Sequence, residues 1–509
     1  MAQRKVVVIG SGFSGLSAAA SLAQAGYAVT VLEKNATPGG RARSFSDSGF
    51  TYDMGPSWYW MPDVFESFFQ KFGRSAADYY HLKRLDPSYK VVFGKDDALE
   101  VPASLPQLRA VFEQLEQGSA KALDRFLEQA AYKYKVGINQ LVYKPGRSVT
   151  EFLSLRLLLD VLRMDVFQSF SKHIRRYFSH QKLLKLMEFP VLFLGALPEN
   201  TPALYSLMNY ADISLGTWYP MGGMYKIIEG MVQVAEEQGV RFCYNQDVRE
   251  IKVVQGKATE VLTSTGAFEA DIVVASADYH HVEQKLLAPA WRSYSDSYWN
   301  SRVMAPSSLI FYLGVSKRLQ GLNHHNLFFD EDFGPHAHEI YTDPKWPAKP
   351  LFYVSAPSVT DSSVAPAGCE NLFILIPVAP GLEDTEEMRE KYYHLVMERL
   401  KHHTNQEIRS AVVYKRSYAH HDFIADYNAF KGNAYGLANT LLQTALLKPR
   451  LKSKKVNNLY FTGQLTVPGP GVPPSLISGQ VVASEVVKEF PVAGEAALNK
   501  QNKFVYGAV

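Results

Sequence analysis

Cysteine is scarce in this chain: two in 509 residues, Cys243 and Cys369, far apart and with no Cys/His cluster nearby. That excludes a disulfide scaffold and gives no zinc signature, and a reducing, cytoplasmic setting is expected. A surplus of one charge is also missing, since 53 Lys and Arg stand against 50 Asp and Glu for a net charge of +3. With no basic block in addition, no nucleic-acid partner is expected. Long apolar runs are absent as well. The strongest, residues 186–197, is interrupted by Glu188 and Pro190 and falls short of the ~20 residues a spanning helix needs. The start, MAQRKVVVIGSG, has no apolar segment before a cleavage site, so no signal peptide is expected. No metal is expected either. The close histidine pairs, such as His280-His281 and His336-x-His338, point their rings apart on a strand or diverge on a helix. Walker, G-x-S-x-G and H-E-x-x-H motifs do not occur. What is plentiful is apolar residue: 47% hydrophobic and 13% aromatic, over a length that suits two or three packed units.

The first forty residues carry the clearest signal. Lys5-Val-Val-Val-Ile9 runs straight into Gly10-Ser-Gly12-Phe13-Ser14-Gly15, followed by small and apolar residues through Ala23. The order reads as a buried parallel strand, a tight turn and a helix packed close on the sheet. A second strand at 28–32 ends in Glu33, 18 residues after the third glycine. Glycines there let backbone N–H groups and a helix N-terminus approach a pyrophosphate, and an acid at that strand end accepts hydrogen bonds from a ribose.

NAD and FAD share this fingerprint, and the next segment separates them. Glu33-Lys34-Asn-Ala-Thr-Pro-Gly39-Gly40-Arg41 resembles the FAD-binding extension of the superfamily that holds amine oxidases, phytoene desaturases and Rab GDP-dissociation inhibitors. Asp53-Met-Gly55-Pro56-Ser57 is similar to another segment of that superfamily. The resemblance implies FAD, with Val248 meeting the adenine and a closing strand ending at Gly463-Gln464. A loop to Gly471-Val472 and a helix from about 475 to 490 then bring donors to the flavin. Gln464 stands where a small or acidic residue is familiar, and its amide still bonds a flavin hydroxyl.

Later motifs resemble the bacterial-type phytoene desaturase family specifically. They are Trp218-Tyr-Pro-Met-Gly222-Gly223, Ala356-Pro-Ser-Val-Thr360-Asp361-Ser-Ser363, Tyr427-Asn-Ala429 and Pro468-Gly-Pro-Gly471-Val-Pro473. The implied fold is α/β with an α+β substrate domain. A Rossmann-like FAD-binding domain is assembled from residues 1–75, 220–290 and 445–492, and a mixed-sheet substrate domain from 76–150 and 291–444. A helical, membrane-facing region spans 151–219.

The implied reaction is hydride transfer to flavin from a long linear isoprenoid, phytoene or a related carotene, introducing conjugated C=C bonds. Oxygen or a quinone would be the final electron acceptor. Such chemistry asks for orientation, exclusion of water and a proton acceptor, with no metal. Two acids are candidates for the acceptor. Glu151 resembles an acidic position of the family and also fits a capping box with Ser148; Asp212 precedes Gly216-Thr-Trp218. Between residues 151 and 190, seven bases oppose four acids among leucines and phenylalanines. This predicts a basic amphipathic helix lying on an anionic membrane surface, and hence a peripheral protein at the inner face of the cell membrane. The competing readings are a desaturase, saturase or isomerase of a later carotenoid, an amine or protoporphyrinogen-type oxidase, and a non-catalytic isoprenoid-binding protein.

Overall fold

A computed structural model describes residues 3–148, 151, 165, 168–194, 197–440 and 443–492. Its organising element is a five-stranded, wholly parallel sheet in the order Leu459–Phe461, Ile272–Ala275, Lys5–Ile9, Ala28–Leu32, Arg241–Cys243. Burial on both faces explains why Val6 to Ile9 and Ile272 to Ala275 are unbroken apolar runs. Helices Phe13–Gln24 and Val472–Glu489, from opposite ends of the chain, pack against each other beside this sheet. The second helix begins three residues before the expected 475, and Pro473 and Pro474 lie in its first turn, where a missing N–H costs nothing.

A seven-stranded mixed sheet forms the second layer. Its order is Val412–Tyr418, Ser307–Val315, Glu370–Val378, Phe352–Ser355, His325–Phe328, Tyr89–Gly94, Asp97–Val101. All neighbours are antiparallel except His325–Phe328 beside Tyr89–Gly94. The last two strands are followed in the chain by helices at Leu105–Leu115 and Ser119–Val136. One face of this sheet packs on helix Glu386–Thr404 through Tyr392, Tyr393, Val396 and Leu400. The other face is the floor of the cavity described below.

The amphipathic stretch expected after Glu151 needs correction where it can be seen. Residues 152–164, 166 and 167, where the first half of that helix is expected, lie outside the described residues. From residue 168 the chain is not one helix: Phe170–Ile174 and Gln181–Glu188 are separate, joined by a turn. Phe170, Ile174 and Phe178 are buried in the protein's own core, and Arg175 pairs with Glu188. The apolar face of this part is therefore used internally. No helix among the described residues is long and apolar enough to cross a membrane.

Candidate active site

One continuous cavity runs from the glycine turn after strand Lys5–Ile9 to the mixed sheet. Its first arm is a polar cradle. Gly10, Gly12, Phe13 and Ser14 line it at the start of helix Phe13–Gln24, whose N-terminus has no side-chain cap, so its backbone N–H groups face the cavity end. A Cβ on Gly12 would meet nothing within 4 Å, leaving room for a ligand against that turn. Gly15 does not line the cavity. A Cβ there would lie 2.1 Å from the Gly10 carbonyl oxygen, so this third glycine serves the close crossing of helix over turn.

Glu33, at the end of the second strand, is buried and lines the cradle. Oε2 accepts from the Ser11 N–H and hydroxyl at 3.0 and 2.6 Å, and Oε1 from the Asn35 N–H and side-chain amide at 2.9 and 3.0 Å. The carboxylate is thus aimed before any ligand arrives. Lys34 lines the same arm while its ammonium donates to the Ala425 carbonyl. Gly39, Gly40 and Arg41 follow. The Arg41 guanidinium donates to the Asn433 carbonyl at 3.3 Å, sits 5.2 Å from the Tyr427 ring centre, and has a buried Nε with no partner. Burial pulls its pKa down, partly offset by Asp278. A half-buried cation with an unpaired donor suits an anionic or carbonyl-bearing group.

Gly55, Pro56 and Ser57 close over Arg41, where a Cβ on Gly55 would come within 2.6 Å of the Arg41 carbonyl. Val248 lines the far end, and Gly463, Gln464, Gly471 and Val472 bring in the start of the last helix. Gln464 Nε2 donates to Asn433 Oδ1 at 3.2 Å, which fixes the side chain at the rim. The cradle thus collects two helix N-termini, an oriented carboxylate and a half-buried guanidinium, and these residues could hold a dinucleotide such as FAD.

The second arm is apolar. Its floor is a row across four strands, Ile310, Leu375, Tyr353 and Leu327 in direct register, with Ser308 and Pro377 beside it. Its roof is helix Phe333–Tyr341, which presents Phe333, His336, Ala337, Ile340 and Tyr341, the i, i+3, i+4, i+7, i+8 face. His336 ties roof to floor: its Nε2 stands 2.8 Å from the Pro377 carbonyl and its Nδ1 accepts from Leu351 N–H at 3.0 Å. Trp58 and Phe189 form a side wall at the junction of the arms. Sequence reading missed the roof helix, although the spacing of its apolar residues was there to find.

Neither acid proposed as proton acceptor lines the cavity. The Glu151 carboxylate accepts backbone N–H bonds from Gly146, Arg147 and Ser148 at 3.0, 2.8 and 3.2 Å, the last being one of the two bonds of the expected capping box. Asp212 lies one layer behind the wall. It is buried, accepts from the Tyr89 hydroxyl at 2.7 Å and stands 3.3 Å from the Thr217 hydroxyl, while Tyr89 packs edge-on against Trp58. Burial pushes its pKa up to about 7.

Comparison with known proteins agrees with this architecture. Residues 13–487 match the family model described as flavin containing amine oxidoreductase. A carotenoid 3,4-desaturase of Haloarcula japonica is 40% identical over 486 residues, covering 95% of this chain and 98% of that one. A zeta-carotene-forming phytoene desaturase of Myxococcus xanthus is 32% identical over 491 residues, covering 95% and 94%. Among solved structures, an oxidoreductase from Methanosarcina mazei superposes with TM-score 0.61 at 17% identity, over 94% of this chain and all of that one. Putrescine oxidase bound to putrescine does so with TM-score 0.59 at 14% identity, over 96% and 99%. Those two show the shared fold. The family model and the two full-length relatives together place the chain in the flavin-containing amine oxidoreductases, as an FAD-dependent oxidoreductase of their carotenoid desaturase branch.

Proposed function

We propose that the chain oxidises a C–C single bond beside the double bonds of a long linear carotene, extending its conjugation. The observation that carries this reading is the continuity of the two arms: a polar dinucleotide cradle opens directly into an apolar passage between a sheet and a helix. When bound, FAD supplies the hydride acceptor. The cradle residues Gly10, Gly12, Ser14, Glu33, Gly40, Arg41 and Val472 would bind the cofactor, and Gly55 to Ser57 would flank it on the side of the substrate arm. Ile310, Leu327, Leu375 and Ile340 hold a polyene in line and keep water from the reacting carbons, where a cationic transition state would otherwise be trapped.

Phytoene and later carotenes are both compatible with an apolar passage. The higher identity to a 3,4-desaturase, 40% against 32%, favours a later carotenoid. Expression in cells that accumulate phytoene and, separately, in cells that accumulate lycopene decides this by pigment spectrum. Colour in the first supports the phytoene reading, and a red shift confined to the second supports the later one. No change in either host rules out both.

A hydrocarbon of this length partitions into bilayers, so we also propose pick-up at an anionic membrane surface and transfer of the electrons to oxygen or a quinone. Sedimentation with anionic vesicles at low salt tests the first, with recovery of the chain in the supernatant counting against it. Anaerobic turnover with and without added quinone tests the second.

A further inference from the structure

Desaturation removes a hydride from one carbon and a proton from its neighbour, and neither Glu151 nor Asp212 reaches the cavity to take that proton. Another pair is better placed. Tyr353 lies on the cavity floor, and His325, two residues before Leu327 on the neighbouring strand, shares that sheet face as its diagonal neighbour. The Tyr353 hydroxyl and His325 Nδ1 are 2.6 Å apart. The imidazole is fully buried and stacks on Trp58 at 4.1 Å with an 11° tilt, and its Nε2 has no partner. Burial pushes the Tyr353 phenol up, and the nearby Ser355 and Ser57 hydroxyls favour its ionised form against that push. Ser57 belongs to the segment that closes over Arg41, so the phenol stands where cradle and substrate arm meet.

We propose that Tyr353 is the proton acceptor of the desaturation and that His325 takes the phenol's own proton in the same step. This rests on the desaturase reading above. Hydride departure, with its two electrons passing to FAD, leaves an allylic cation. The C–H bond on the adjacent carbon breaks, its electron pair becomes the new π bond, and its proton passes to the Tyr353 oxygen as the original phenol proton moves to His325 Nδ1. Tyrosine is regenerated, histidine becomes imidazolium, and the substrate has lost one hydride and one proton.

A C–H bond beside a carbocation is strongly acidic, so a weak base suffices. Burial holds His325 well below the usual imidazole range, so it is neutral at pH 7 and takes up a proton only because the carbocation that supplies it is so strongly acidic. A small cavity lies nearby. His325 meets His324 edge-on at 4.5 Å, and His324 lines a second cavity of about 20 Å³ that shares Ser57 with the first. That volume admits one water.

The test uses the full-length holoenzyme and its carotene, following flavin bleaching in a single anaerobic turnover, carotene binding by tryptophan quenching, and the rate in D2O. Tyr353→Phe should slow bleaching by about 100-fold or more, within the range for a lost acid–base group, with binding changed less than about twofold. His325→Asn keeps an acceptor where Nδ1 stands and cannot carry a proton, so it should fall as far. Bleaching in Tyr353→Phe within about threefold of the wild type overturns the assignment, as does a fast His325→Asn. Where a variant loses its flavin, the wild type decides: a solvent isotope effect supports proton transfer through the pair, and its absence overturns it. A wild type that bleaches with no linear carotene fails the desaturase reading instead.

Discussion

The carboxylate of Glu33 receives both the backbone N–H and the hydroxyl of Ser11, at 3.0 and 2.6 Å, so the acid after the second strand is anchored to the glycine turn it faces. Hydrogen bonds to a charged group contribute about 1.5–3 kcal/mol each. Glu33→Ala should therefore weaken FAD retention by about 10- to 100-fold, read as the dissociation constant from recovery of flavin fluorescence on dilution. Retention equal to the wild type would remove Glu33 from the cofactor site.

Gly15 tolerates no side chain, because its Cβ would overlap the Gly10 carbonyl at 2.1 Å. Gly15→Ala should cost about 3 kcal/mol or more through displacement of the turn, and should lower both melting temperature and flavin content. A variant with full flavin and unchanged melting would show that the turn is able to shift.

Asp212 is held protonated by burial, with its pKa near 7 against an ordinary 3.8. Below pH 3.8 the folded and unfolded chains both carry the proton. Between there and about pH 7 only the folded chain keeps it, so this group's contribution to stability falls as pH rises, by at most about 1.4 kcal/mol per unit. Asp212→Asn keeps a hydrogen-bonding partner for Tyr89 and abolishes the proton. Urea melts from pH 4 to 8 should show the wild type losing stability relative to the variant, and parallel curves would refute the assignment.

His173 behaves in the opposite sense. Burial, and then the Lys133 ammonium 3.4 Å away, hold its pKa down to about 4. The unfolded imidazole takes up a proton near pH 6.5 while the folded one does not, so its stabilisation is complete above 6.5 and is lost as pH falls toward 4. His173→Asn should flatten that acid limb by about 1 kcal/mol per pH unit, seen in the same melts. An unaltered limb would mean that other groups govern it.

Much of the cradle was legible because its signals are local. The glycine turn, Glu33 and the Gly39-Gly40-Arg41 segment lie within about thirty residues, and each needs only a backbone shape that glycine allows or a strand end that aims a side chain. The steric need for Gly15 was not legible, because spacing alone does not say whether a small residue faces a cofactor or a neighbouring backbone. The place of the Tyr89–Gly94 and Asp97–Val101 hairpin at the edge of the mixed sheet could not be read, because the strand that Tyr89–Gly94 joins there, His325–Phe328, lies more than two hundred residues on. The basic stretch after Glu151 looked like a membrane helix because hydrophobic periodicity is the same whether the apolar face meets lipid or core. In Phe170, Ile174 and Phe178 it meets core.

The sequence by itself determined the parallel strands, the glycine turn between strand and helix and the flavoenzyme family, since these rest on short motifs whose geometry is set within each segment. Only the tertiary structure decided what stands opposite the cradle. It brought Tyr353 to His325, left the Asp212 carboxyl behind an aromatic wall and gave the Glu151 carboxylate to three backbone amides. The reason is that a strand fixes which face a side chain takes, while the neighbour it meets there depends on register between strands distant in the chain.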